Sequence, residues 1–112
     1  LPTNTLSAVN AILDPSINYP GDGTVPAPAI GQRYIVINPI PTTPIWSGLV
    51  ANKYDIIEYN GSAWNVSFDS STVSDTQYVT NLSSSDQLEW NGTEWVNSYE
   101  GIYNAGFWRL YL

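Results

Sequence analysis

The chain is 112 residues long, the length of one domain, and sets ten carboxylates against only Arg33, Lys53 and Arg109, a net charge of −7. Three scattered cations cannot displace counterions from a phosphate backbone or hold an anionic bilayer, so no nucleic acid and no membrane are expected as partners. With neither His nor Cys, Ser-His-Asp and Cys-His centres, His-based metal sites and disulfide frameworks are all excluded.

In chain order, Thr5–Leu13 places Leu6, Val9, Ile12 and Leu13 on one helical face, with Thr3, Asn4 or Thr5 as N-cap, so one short helix is expected there. Pro15 ends it, because the residue before a proline avoids helical geometry. The stretch Tyr19–Ala29 is punctuated by Pro and Gly and should be extended or looped. Residues 1–30 therefore read as an N-terminal arm or linker, and 31–112 as a β-domain.

Arg33-Tyr-Ile-Val-Ile-Asn38 is a β-branched run of strand length, stopped by Pro39, Pro41 and Pro44. Beyond it lies an internal repeat. Asp55–Phe68 (DIIEYNGSAWNVSF) aligns without gaps on Asp86–Tyr99 (DQLEWNGTEWVNSY), with six of fourteen positions identical. Asn-Gly between two apolar runs is a strong hairpin signal, and a type I′ turn with φ > 0 at both residues is expected at Asn60-Gly61 and Asn91-Gly92. A linking strand is expected over Thr76–Thr80, a Ser-rich turn over Asn81–Ser85, and a last strand over Phe107–Leu112. Some seven short strands with regular turn signals predict an all-β fold, a small barrel or sandwich.

The chemistry-bearing residues are few. A glycosidase-type carboxylate pair could only come from Asp55, Glu58, Asp86, Glu89, Glu94 and Glu100. Asp55/Glu58 and Asp86/Glu89 recur with the hairpins, as structural repeats do, so no enzyme is expected. Asp14 and Asp22 lack a calcium-loop pattern, and Gly21-Asp22-Gly23 is more simply a turn; no metal or cofactor is expected. The N-x-S/T sequons at Asn60, Asn65, Asn81 and Asn91 follow from richness in Asn, Ser and Thr. The aromatics are the better candidates. Trp46, Tyr59, Trp64, Trp90 and Trp95 could stack on a sugar ring, although in a small β-domain without Leu-rich helices such residues more often form the core.

Gly31-Gln-Arg-Tyr-Ile-Val36, Trp46-Ser-Gly48, Asp55–Trp64 and Trp90-Asn-Gly-Thr-Glu-Trp95 together resemble a phage domain of unknown function found in tail-associated virion proteins. That domain shows a G-x-x-Y-x-V strand, a W-x-G and a repeated polar-G-x-x-W hairpin. The resemblance implies a non-enzymatic virion building block that contacts other virion proteins or copies of itself. The Pro-rich loop at 39–44 departs from it, and residues 1–30 lie outside it. Trp46–Phe68 is also similar to the small chitin-binding modules of chitinases, which are about half this length and imply a carbohydrate-binding module with a glycan partner. The expected setting is a virion or, alternatively, the extracellular space, including a bacterial surface.

Overall fold

The computed structural model describes residues 2–98. Seven strands form within them: β1 (Ala11–Leu13), β2 (Arg33–Val36), β3 (Ile56–Tyr59), β4 (Trp64–Phe68), β5 (Gln77–Asn81), β6 (Asp86–Trp90) and β7 (Trp95–Asn97). They make a four-stranded sheet in the order β1-β2-β3-β4 and a three-stranded sheet in the order β5-β6-β7. The all-β class is as the strand and turn pattern predicts. The last expected strand, Phe107–Leu112, lies outside the described residues.

The sequence repeat extends to architecture. β2-β3-β4 and β5-β6-β7 are both antiparallel meanders, with Tyr34 opposite Ile57 in the first and Val79 opposite Leu88 in the second. The two share a core in which Ile35, Ile56 and Phe68 of one sheet meet Val79, Leu88 and Trp90 of the other. The other face of the larger sheet is covered too. Tyr34, Val36, Ile57 and Trp64 pack there under Ile40, Trp46 and Ala51 of the long β2–β3 connection. This double burial explains the unbroken apolar run of β2, since a strand covered on both faces has no solvent side to mark with polar residues.

A bulge in β4 assigns its apolar side chains to different cores. Ile56 pairs with Phe68 but Ile57 pairs with Val66, leaving Ser67 as an extra residue. In a regular strand, Val66 and Phe68 would share a face. With the bulge, Val66 packs against the outer core and Phe68 enters the inter-sheet core.

The helix expected over Thr5–Leu13 does not form. The segment is extended, pairing parallel with both meanders in turn. Val9 bridges Asn81, its amide donating to the Thr80 carbonyl (3.0 Å) while its carbonyl accepts from Leu82 N–H (2.9 Å). Two residues later β1 pairs in parallel with Tyr34–Val36. A nine-residue helix satisfies few of its own backbone groups and is marginal alone, whereas two open strand edges satisfy this backbone from both sides. Val9 and Leu13 are thereby buried and Ile12 is left outside. The segment expected to be an arm is thus a seam between the sheets, and a division at 30/31 would cut through β1–β2 pairing. No helix of the described residues is long and apolar enough to cross a membrane.

Candidate functional site

Each repeated hairpin ends in a four-residue loop. Asn60 N–H donates to the Ala63 carbonyl, and Asn60 Oδ1 accepts from the Ser62 and Ala63 amides at 2.8 and 2.9 Å. Asn91 repeats this with the Glu94 carbonyl and the Thr93 and Glu94 amides, at 3.0 and 2.9 Å for the side-chain bonds. The turns are alike, as the repeat predicts, but they are not type I′. Only the glycine of each pair has positive φ, 99° at Gly61 and 97° at Gly92. Asn acts here as a side-chain acceptor that imitates a backbone carbonyl, the other reason the residue favours turns.

The turns bring paired aromatics together. Tyr59 lies opposite Trp64 with ring centroids 5.2 Å apart, and Trp90 opposite Trp95 at 5.3 Å, with the planes inclined at 55° and 52°. The five aromatics considered for sugar stacking nevertheless do not form one platform. Trp46, Tyr59 and Trp64 belong to the outer core of the larger sheet, and Trp90 and Trp95 to the inter-sheet core. Trp46 meets Trp64 edge-on at 5.0 Å, and Phe68 meets Trp90 edge-on at 5.4 Å. Exposure of 1% for Trp46, 3% for Trp64 and 1% for Trp90 leaves no ring face for a ligand. Tyr59 and Trp95 are half-buried. The Trp95 indole N–H is engaged by the Tyr54 carbonyl (2.9 Å) and that of Trp90 by the Val73 carbonyl (2.7 Å). For Trp46, Trp64 and Trp90 the stacking expectation is therefore corrected in favour of core packing. A domain this small buries a limited fraction of its surface, so its largest apolar rings are drawn inside.

The carboxylates are dispersed. Asp55 is 2% exposed and accepts from Asn52 N–H (2.9 Å), Ser70 N–H (2.8 Å) and Ser70 Oγ–H (2.8 Å), tying the start of β3 to the turn after β4. Its repeat counterpart Asp86 is exposed. Glu58 pairs with Arg33 across β2 and β3. Glu89 is half-buried and Glu94 sits exposed in the second hairpin loop, while Glu100 lies outside the described residues. Asp22 organises its own turn, its Oδ1 accepting from Thr24 and Val25 and its Oδ2 from Tyr19 N–H. Those bonds, the Thr24 hydroxyl first, hold its carboxyl well below the usual carboxylate range. Hydrogen bonds from Ser16 likewise lower the pKa of Asp14, and those from Ser71 that of Asp69. No group of three or more acidic side chains that could hold a metal ion occurs among the described residues. The sequon residue Asn81 is buried, and its Oδ1 accepts from Ser83 N–H.

A cleft of about 390 Å³ was not anticipated from the sequence. It lies between the N-terminal segment and β2, with Asn10, Leu13, Val25, Pro26, Gln32 and Tyr34 in its lining. These residues come from separate stretches of chain and share no motif, so no local pattern could have announced it. No protein-family model, curated protein or solved structure matches the chain.

Proposed function

We propose that this chain is a non-catalytic structural module of a phage virion, a tail, appendage or particle-surface component that works through contacts with neighbouring subunits. The observation that carries the reading is the commitment of its reactive and stacking side chains to the fold. The buried tryptophans fill the two cores, Asp55 closes a turn, and Glu58 is paired with Arg33. What remains on the described surface is polar and acidic, with Asp69, Asp75, Asp86 and Glu94 exposed, and large apolar side chains, Ile17, Ile30, Val50 and Leu82 the most exposed among them, stand out on the connections. Water penalises such side chains, and a neighbouring subunit would cover them. The likeness of the G-x-x-Y-x-V strand and the paired N-G-x-x-W hairpins to a tail-associated virion domain supports the same reading.

The test is the composition of the particle. Phage particles from a culture carrying the gene, purified on a density gradient, should contain the chain in a fixed ratio to the major structural proteins, as read by quantitative mass spectrometry. Its absence from intact particles would overturn the proposal.

A further inference from the structure

The cleft between the N-terminal segment and β2 gathers polar groups that the fold leaves without partners. Gln32 Nε2 donates to the Ala27 carbonyl (3.0 Å), which fixes the orientation of the amide, since the flipped form would face two oxygens. Its Oε1 is consequently buried with no hydrogen-bond partner. Asn10 Oδ1 accepts from Arg33 N–H (2.9 Å), which leaves its amide nitrogen as a donor. The Tyr34 hydroxyl makes no hydrogen bond to a described residue, and burial pushes its pKa up. A buried acceptor left unpaired costs about 1–3 kcal/mol, so native proteins rarely keep one without a water or ligand to meet it.

The remaining lining restricts what can enter. Val25, Pro26 and Leu13 present an apolar wall, and among the described residues no charged side chain lines the cleft. An ionic ligand would lose its hydration there without gaining a counter-charge. The chain's net charge of −7 disfavours anions further. A ligand that suits an acceptor, a donor and a hydroxyl at once must both give and take hydrogen bonds around a small body with an apolar side. Hydroxyl groups on a ring do this. The volume lies near the lower end of the range of about 300–1,000 Å³ typical of small-molecule sites, room for one such ring rather than a chain of them.

We propose that this cleft binds a neutral, hydroxyl-rich ligand of one sugar ring, held by Gln32, Asn10 and Tyr34 with its apolar side against Val25 and Pro26. Tyr59, Trp64, Trp90 and Trp95 of the hairpins do not line the cleft, although Tyr34 packs on Trp64 (5.8 Å), and the site stands or falls independently of the virion reading. A particle protein without sugar affinity would keep that reading and lose only this site.

The experiment is an NMR titration of the full chain with D-glucose, D-galactose and N-acetyl-D-glucosamine, each alone, and with glucuronate as the charged counterpart. At least one neutral sugar should give saturable shifts confined to residues 10–13, 24–26 and 32–34, and glucuronate should give none. Tyr34→Phe keeps the ring in the core, and it should weaken that sugar about tenfold, the loss expected when a single hydrogen bond goes missing. Gln32→Leu should do the same. The proposal is overturned by the absence of saturable shifts with all three sugars into the tens of millimolar. Shifts centred on Tyr59 and Trp95, glucuronate binding as tightly as the neutral sugar, or wild-type affinity in both variants would overturn it equally.

Discussion

Gly61 and Gly92 occupy equivalent places in the two hairpin loops, with nearly the same φ of 99° and 97°, yet they face different surroundings. A Cβ built on Gly61 meets only the Ile30 side chain, at 3.6 Å, which is ordinary contact. A Cβ on Gly92 lies 3.2 Å from the Ser74 carbonyl oxygen, a backbone atom that must give way by a few tenths of an ångström. An L-residue in the left-handed region costs about 1–2 kcal/mol. Reduced freedom of the unfolded chain returns about 0.4–1 kcal/mol of that when Gly becomes Ala. Gly61→Ala should therefore lose about 1 kcal/mol. Gly92→Ala carries the same backbone cost plus an overpacked contact, which adds about 1–2 kcal/mol. With a urea slope of about 1–3 kcal/mol per molar, the midpoint should fall by roughly 0.5 M for Gly61→Ala and at least twice that for Gly92→Ala. Urea unfolding followed by tryptophan fluorescence reads both. Equal losses would refute the role given to Ser74, and two unchanged midpoints would refute the positive φ itself.

Asp55→Ala should destabilise by about 1–3 kcal/mol in the same assay, because it leaves the Asn52 and Ser70 amides without their acceptor in a buried setting; Asp86→Ala, at the exposed repeat position, should change little. Removing residues 1–13 takes away Val9, Leu13 and the pairing with both sheets, so the shortened chain should lose its cooperative unfolding transition, and a sharp transition at the original midpoint would contradict the seam. Asp14, Asp22 and Asp69 all have depressed folded-state pKa values. Their contribution is therefore complete above the ordinary value of 3.8 and is lost as pH falls through the depressed folded values. Amide exchange at Tyr19, Thr24 and Val25 should accelerate in strong acid relative to the sheet interior, and Asp22→Asn should remove most of that dependence in its own loop.

What was legible in the sequence was what neighbouring residues decide among themselves. An Asn that accepts from amides two and three positions ahead, a Gly free to take positive φ and aromatics on either side form a hairpin from within a dozen residues. Because the segment occurs twice, the structure holds the turn twice, with matching aromatic pairs. The all-β class and the absence of histidine and cysteine chemistry were open to the same kind of reading. The type of turn was not, because a side-chain acceptor and a backbone turn use the same two letters.

The rest depended on groups distant along the chain. Thr5–Leu13 has a helical spacing of apolar residues, but the edges of β5 and β2, contributed by residues up to 73 positions away, satisfy its backbone better as a strand. Trp64 could have served a ligand or a core until the β2–β3 connection folded Trp46 over it. One bulged residue, Ser67, decided that Phe68 joins the inter-sheet core rather than the outer one. The cleft between the N-terminal segment and β2 is the clearest case. Gln32 pairs one half of its amide with Ala27, and its other half is an unmet acceptor because of where the chain around it runs. Local periodicity records which side of a strand is apolar, and only tertiary packing determines what that side meets.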